Sequence, residues 1–268
     1  MKNKNQFRAM FTGFAAVAIP VLFVVALLLY IYVLGNPANF QGGNVNNNPL
    51  PGNYLATVYK GGVIVPILMT ILLIVITFTI ERFITITKAK GKGRVNSFVA
   101  KVHTDLSNKN LDNAMIECDK QKGSVASVVK AGLLKYKEMI SVKELNRDQK
   151  VIAIKQEIEE ATSLELPMLE QNLVIIATIA SVATLMGLLG TVLGMIKAFG
   201  ALATSGAPDA VALASGISEA LINTALGIST SALAIIMYNY FTTKIDKLTY
   251  SIDEAGVAIV QNFAANYN

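Results

Sequence analysis

Residues 216–236 read GISEALINTALGISTSALAII. Nearly every residue is apolar or small, so the stretch has the composition of a membrane-embedded helix. Yet Glu219 sits within it, followed by Asn223, Thr224 and Thr230. A carboxylate at the centre of a bilayer costs about 2.5 to 3.5 kcal/mol on insertion scales. At 100° per residue, Gly216, Ala220, Thr224, Gly227 and Ser231 fall on one stripe, and Glu219, Asn223 and Thr230 form a second stripe beside it. Leu221, Ile222, Ile228 and Leu233 point elsewhere. Glu219 therefore belongs to the polar edge of a tight face, and an intramembrane carboxylate facing a bundle interior is by default a functional group. The competing reading is a glutamate near an interface that reaches headgroup water, since Asp209 lies only ten residues earlier.

The preceding apolar stretch carries a matching face. Ala180, Ala183, Gly187, Gly190, Thr191, Gly194, Ala198 and Ala201 all lie within about 60° of Gly187. Gly190 and Gly194 form a GxxxG pair. Lipid gives helices no hydrophobic reason to associate, so small residues that let backbones approach are a common solution. Two readings stand: packing inside one chain, or a closely packed pore wall. Lys197 lies near the end of this stretch. It either pairs with a carboxylate or snorkels to the interface, and snorkelling is the expectation.

The rest of the chain fits an integral membrane protein. Its 268 residues are 53% hydrophobic and only 15% charged, where soluble domains carry about 25%. Mean hydropathy is +0.50. Of 23 Lys and Arg, 16 lie between Arg82 and Lys155, so the net charge of +5 reflects where basic residues sit and not nucleic-acid binding. A charge-free stretch, 11–34, is long enough to cross about 30 Å of hydrocarbon. Pro20 is a potential kink. Lys2, Lys4 and Arg8 precede it, which is compatible with a cleaved signal peptide. The apolar run exceeds a typical h-region and no A-x-A site follows, so a retained anchor is expected. GNPANFQGGNVNNNPLPGN (35–53) is expected to be a polar connector without regular structure. GGVIVPILMTILLIVITFTI (61–80) is a further span, ended by Glu81 and Arg82 and followed by Lys88, Lys90, Lys92 and Arg94.

The expected fold class is an all-α membrane protein with four transmembrane helices, one of them an extra N-terminal span, plus a cytoplasmic helical domain. The expected divisions are an anchor at 1–34, an outside loop at 35–60, a second transmembrane helix at 61–87, a cytoplasmic helical domain at 88–170, a helix pair at 171–243 and a cytoplasmic tail at 244–268. TSGAPDA (204–210) is expected to turn outside. Both termini then lie inside, in keeping with the Lys/Arg bias. Cys118 is the sole cysteine and His103 the sole histidine, so neither an intrachain disulfide nor a multi-histidine metal site is possible. No phosphate-binding loop or nucleophile–base set is visible, and neither a cofactor nor catalysis is expected.

LVIIATIASVATLMGLLGTVLGMIKAF (173–199) followed by GISEALINTALGISTSALAIIMYNYF (216–241) resembles the MotA/TolQ/ExbB proton-channel family, most closely its ExbB branch. IERF (80–83) fits the family's first span, and IECDKQKGSVASVVKAGL (116–133) is similar to its cytoplasmic region. The resemblance covers about 61–243. The chain departs from the family in its added N-terminal span, in Thr184 where proline is common, and in the charge of Lys197. The resemblance implies a homopentamer in the bacterial inner membrane around the single helices of a dimeric ExbD-like or TolR-like partner, whose intramembrane Asp carries the proton. The work passes to a TonB-like or TolA-like protein. By the same resemblance, Thr191, Thr224 and Glu219 line the path; Asn223 and Thr230 are expected beside them because they share the polar stripe with Glu219, and Gly187, Gly190, Gly194, Gly216, Ala220 and Gly227 of the small-residue faces are expected to pack the helices. TolQ-type use is the nearest rival, with a MotA-like motility stator behind it. A self-contained proton-coupled transporter and a membrane scaffold are rivals from other classes.

Overall fold

A computed structural model of the chain describes residues 2–204 and 210–267. They are helical almost throughout, with no strand among them and one isolated bridge between Phe40 and Pro49. Helix α1 (Lys2–Leu28) runs through Pro20 and widens into a π-helical turn at Leu29–Leu34. A short α2 (Tyr54–Tyr59) precedes α3 (Ile64–Lys90). Then come α4 (Val95–Ser107), α5 (Leu111–Gln121), α6 (Gly123–Ser141) and α7 (Arg147–Glu170). The chain ends with α8 (Leu173–Thr204) and α9 (Ala210–Asn266). Among the described residues four helical stretches are long and apolar enough to cross a membrane, as the sequence predicts. At 1.5 Å per residue, the 57 residues of α9 extend about 85 Å, far beyond the roughly 30 Å of hydrocarbon, so only part of it can lie in lipid. The turn expected over 204–210 lies, apart from its ends, outside the described residues.

The chain divides into two compact units. The first holds residues up to Ile80 together with Val174–Tyr238. Val65, Leu68, Val75 and Phe78 of α3 are buried in it, as are Ile176, Ala183 and Ala198 of α8 and Ala220 and Ala234 of α9. Much of the apolar surface stays open, including Val21 and Val24 of α1, Leu185 and Val192 of α8, and Leu221 and Ile236 of α9. A bilayer, and not water, suits such a surface.

The Asn-rich stretch 35–53 is ordered, contrary to the expectation of a connector without regular structure. It forms two 3₁₀ turns, Pro37–Asn39 and Gln41–Gly43. Its asparagines supply the backbone partners that a sheet or longer helix would otherwise provide. Asn36 accepts from the Ala38 amide, Asn39 donates to the Val33 carbonyl at 2.9 Å, and Asn47 donates to the Gln41 carbonyl at 2.7 Å. Phe40 is buried and packs edge-on against Tyr59. Lys60 lies over the Phe40 ring and donates to the carbonyls of Val45 and Asn46. Composition alone misses this, because Asn serves a flexible linker and a self-capping turn equally well.

The second unit holds Glu81–Leu173 and Asn239–Asn268. Here amphipathic periodicity sets the core. On α4, Val95, Phe98, Val99, Val102 and Leu106 are buried at helical spacing. They share the core with Val125, Val129 and Leu133 of α6, Ile154 and Ile158 of α7, and Ile252, Ile259 and Phe263 of α9. Asn110 caps α5, and Asn146 forms a reciprocal capping box with Gln149 at the start of α7. Cys118 is buried and His103 is exposed. Arg82 is fully buried and pairs with Glu81 through two hydrogen bonds of 2.6 and 2.5 Å. Its Nη1 donates to the carbonyls of Met168 and Leu169 at the end of α7.

Candidate functional site

The two small-residue faces meet each other. A methyl group added at Gly187 would lie 3.0 Å from the Asn223 carbonyl oxygen. One at Gly194 would lie 2.8 Å from the Ala220 nitrogen, and one at Gly216 would lie 2.7 Å from the Ala198 Cβ. Gly227 faces the Ala183 carbonyl and Gly187, and Gly190 faces the Asn223 side chain. Ser231 donates to the Ala180 carbonyl across the same seam. The stripes thus pack α8 against α9 inside one chain, which was one of the two readings the sequence left open.

Within this seam Thr191 and Thr224 bring their hydroxyls to 2.5 Å of each other. Thr191 also donates to the Gly187 carbonyl one turn back at 3.2 Å, and Thr224 reaches the same carbonyl at 3.5 Å. One carbonyl and two hydroxyls form a continuous polar chain where their neighbours are glycine and alanine. The chain is only partly buried. Thr191 lines an apolar groove of about 550 Å³ with Val192, Met195, Ile196 and Phe199, and it supplies the hydroxyl among those residues.

Glu219 and Asn223 lie against the Gly61–Gly62 backbone just before α3. Glu219 is largely buried and pairs with Lys197 at 2.7 Å, contrary to the expectation that Lys197 snorkels away. The reason is geometric: α8 and α9 pack so closely that the lysine stem reaches the carboxylate, and a partner lowers the cost of holding charge there. Gly62 lies against the Glu219 carboxylate with φ +76°, leaving no room for a Cβ. Asn223 is buried and donates to the Gly61 carbonyl at 2.8 Å, while its own Oδ1 has no partner among the described residues. Thr230 is buried in the same helix. The Gly61–Gly62 backbone was missed in the sequence. A glycine pair directly before an apolar span was its available signal.

A model of the MotA/TolQ/ExbB proton channel family matches residues 120–254, just over half of the chain. The chain belongs to the MotA/TolQ/ExbB proton channel family. The match takes in both seam helices as far as Glu254, and with them Thr191, Glu219 and Thr224. Over 124 residues the chain is 32% identical to the Tol-Pal system protein TolQ of Pseudomonas aeruginosa, covering 46% of this chain and 54% of that one. Against TolQ of Haemophilus influenzae it is 36% identical over 118 residues, 42% of this chain and 51% of the other. Against the biopolymer transport protein ExbB of Helicobacter pylori it is 42% identical over 81 residues, 30% of this chain and 56% of the other. The matches span about half the length of these relatives.

Proposed function

We propose that this chain is the ExbB-type subunit of a proton-driven motor. It assembles as a homopentamer in the bacterial inner membrane with both termini cytoplasmic. With an ExbD-like single-span partner it couples the proton-motive force, through a TonB-like protein, to transport across the outer membrane. The observation that carries this reading is the Thr191–Thr224 hydroxyl pair at 2.5 Å, bordering an open apolar groove in a proton channel family member. Each hydroxyl donates and accepts without carrying charge, which suits hand-over of a proton to and from a partner carboxylate seated in the groove. The Oδ1 of Asn223, without a partner among the described residues, offers a further acceptor nearby on α9. An unmet buried acceptor costs about 1 to 3 kcal/mol, so a hydrated or proton-bearing group is favoured beside it.

A TolQ-type role in envelope maintenance is the second reading. The TolQ matches quoted above run longer than the ExbB match. The test is to purify the full chain with the membrane proteins it binds and weigh the complex by native mass spectrometry. The first reading requires five copies with a co-purifying single-span protein carrying an intramembrane Asp, and loss of TonB-dependent uptake on deletion. A leaky envelope with normal uptake favours the TolQ role. A stable monomer without a single-span partner contradicts both.

A further inference from the structure

The second unit holds a pocket that proton transfer does not use. It encloses about 730 Å³ between the end of α3, the start of α4 and one face of α9. Lys90, Arg94, Lys244 and Lys247 line it, and no carboxylate does. None of the four has an ion-pair partner among the described residues, whereas lysines elsewhere in the unit, such as Lys101, Lys120 and Lys137, pair with acids. The first turn of α4 closes one side, with Val95, Asn96 and Ser97 in the wall. Arg94 is the N-cap, and its side chain caps nothing. The first amides of a helix lack intrahelical acceptors and lie at its positive end, a ready anion site.

The other half of the pocket is apolar, built from Phe83, Ile86, Phe241 and Leu248. Polarity changes along α3. Phe83 lies three residues past the apolar run that ends at Ile80, and Lys90 lies seven residues further, about 10 Å along the helix. A bilayer passes from acyl chain through headgroups over a similar depth, about 5 to 8 Å per leaflet. We propose that this pocket binds an anionic diacyl phospholipid. The phosphate lies among Lys90, Arg94, Lys244, Lys247 and the first turn of α4, and the acyl chains run over the exposed rings of Phe83 and Tyr240, which line the pocket on the side of the apolar spans. These two rings select a lipid over a free phosphate ion, which would leave them in contact with water. Basic pockets between membrane helices are a recurrent solution for anionic headgroups.

The inference depends on membrane residence and not on the proton path, so each can fail alone. Full-length protein in a non-ionic detergent is titrated with phosphatidylglycerol or with phosphatidylcholine of the same acyl chains, and retained lipid is counted by native mass spectrometry. The parent should prefer phosphatidylglycerol at least tenfold. Lys244→Gln with Lys247→Gln should weaken phosphatidylglycerol about thirtyfold, as expected for two cations near a membrane surface. Arg94→Gln alone should weaken it less. Lys88→Gln with Lys92→Gln removes the same charge outside the pocket and should change nothing. All these side chains are exposed, and an unchanged melting curve for each variant checks that the fold survives. Equal retention of the two lipids overturns the proposal, as does equal weakening by the control pair. Displacement of phosphatidylglycerol by millimolar inorganic phosphate, with glycerophosphate bound as tightly as the lipid, would mark a plain anion site and also overturn it.

Discussion

Replacing Gly190 with alanine tests the seam at its tightest point. The added methyl would sit 2.7 Å from Asn223 Cγ, and ordinary contact begins at 3.4 Å. It lies closer still to the Asn223 Cβ, so no rotation of that side chain relieves the clash. The helices must separate by about 0.7 Å or more. Overpacking of this kind costs about 1 to 3 kcal/mol. Loss of the Asn223 hydrogen bond to the Gly61 carbonyl adds about 1 kcal/mol. Alanine returns about 1 kcal/mol of helix propensity, so the net destabilisation is about 1 to 3 kcal/mol. The separation also carries Thr191 and Thr224 from 2.5 Å to beyond about 3.2 Å, outside good hydroxyl–hydroxyl bonding. Thermal melting of the purified protein by far-ultraviolet circular dichroism reads the stability, and proton-dependent work reads the hydroxyl contact. Gly256→Ala is the control. Its methyl meets only the Ile158 side chain, at 3.2 Å or more, so propensity should dominate and stability should hold or rise. If Gly190→Ala melts at or above the parental temperature and works at the parental rate, the close seam does not exist.

Arg82→Ala strands the Glu81 carboxylate and two carbonyls at the end of α7. It should cost about 3 to 5 kcal/mol, read as a large fall in melting temperature, and Arg82→Lys should rescue little because a lysine cannot span the same donors. Gly62→Ala forces a Cβ onto a residue at φ +76° that already touches Glu219, so melting should fall by the equivalent of about 1 kcal/mol or more. Burial pushes the Cys118 thiol up from 9.0 to about 12, and that of the Tyr136 hydroxyl up from 10.0 to about 12. Both favour the neutral form in the fold. Their stabilisation is therefore complete below about pH 9 and is lost as pH rises towards 12, which an alkaline melting series measures. In the same series, alkylation of Cys118 should stay slow until the second unit opens.

The sequence carried the seam because helical periodicity is local. Once α8 and α9 are helices, the 100° step puts Gly187, Gly190, Thr191 and Gly194 on one face whatever surrounds them. Amphipathic α4 is legible for the same reason. What escaped depends on convergence of distant segments. The pairing of Lys197 with Glu219 spans 22 residues and needs the helix spacing that the small residues permit. The Asn223 bond to Gly61 spans 162 residues and has no periodic trace. Burial of Arg82 was hidden because an arginine after an apolar run reads as an interfacial anchor, whereas its true partners include the end of α7. The loop at 35–53 failed differently. Its composition is that of a linker, and a single buried aromatic, Phe40, organises it.

If Thr191 and Thr224 carry protons as proposed, removing their hydroxyls must lower proton flux. The chain is reconstituted with the single-span partner proposed above in liposomes holding a pH-sensitive dye, and an imposed potential drives the flux. Thr191→Val and Thr224→Val preserve shape and remove the hydroxyls, so the complex should assemble with parental stoichiometry. Each variant should lose at least tenfold in flux, and the double variant should lose no more than the worse single one, because the two hydroxyls act as one relay. Parental flux in an assembled double variant would make the hydroxyls packing groups and contradict the account.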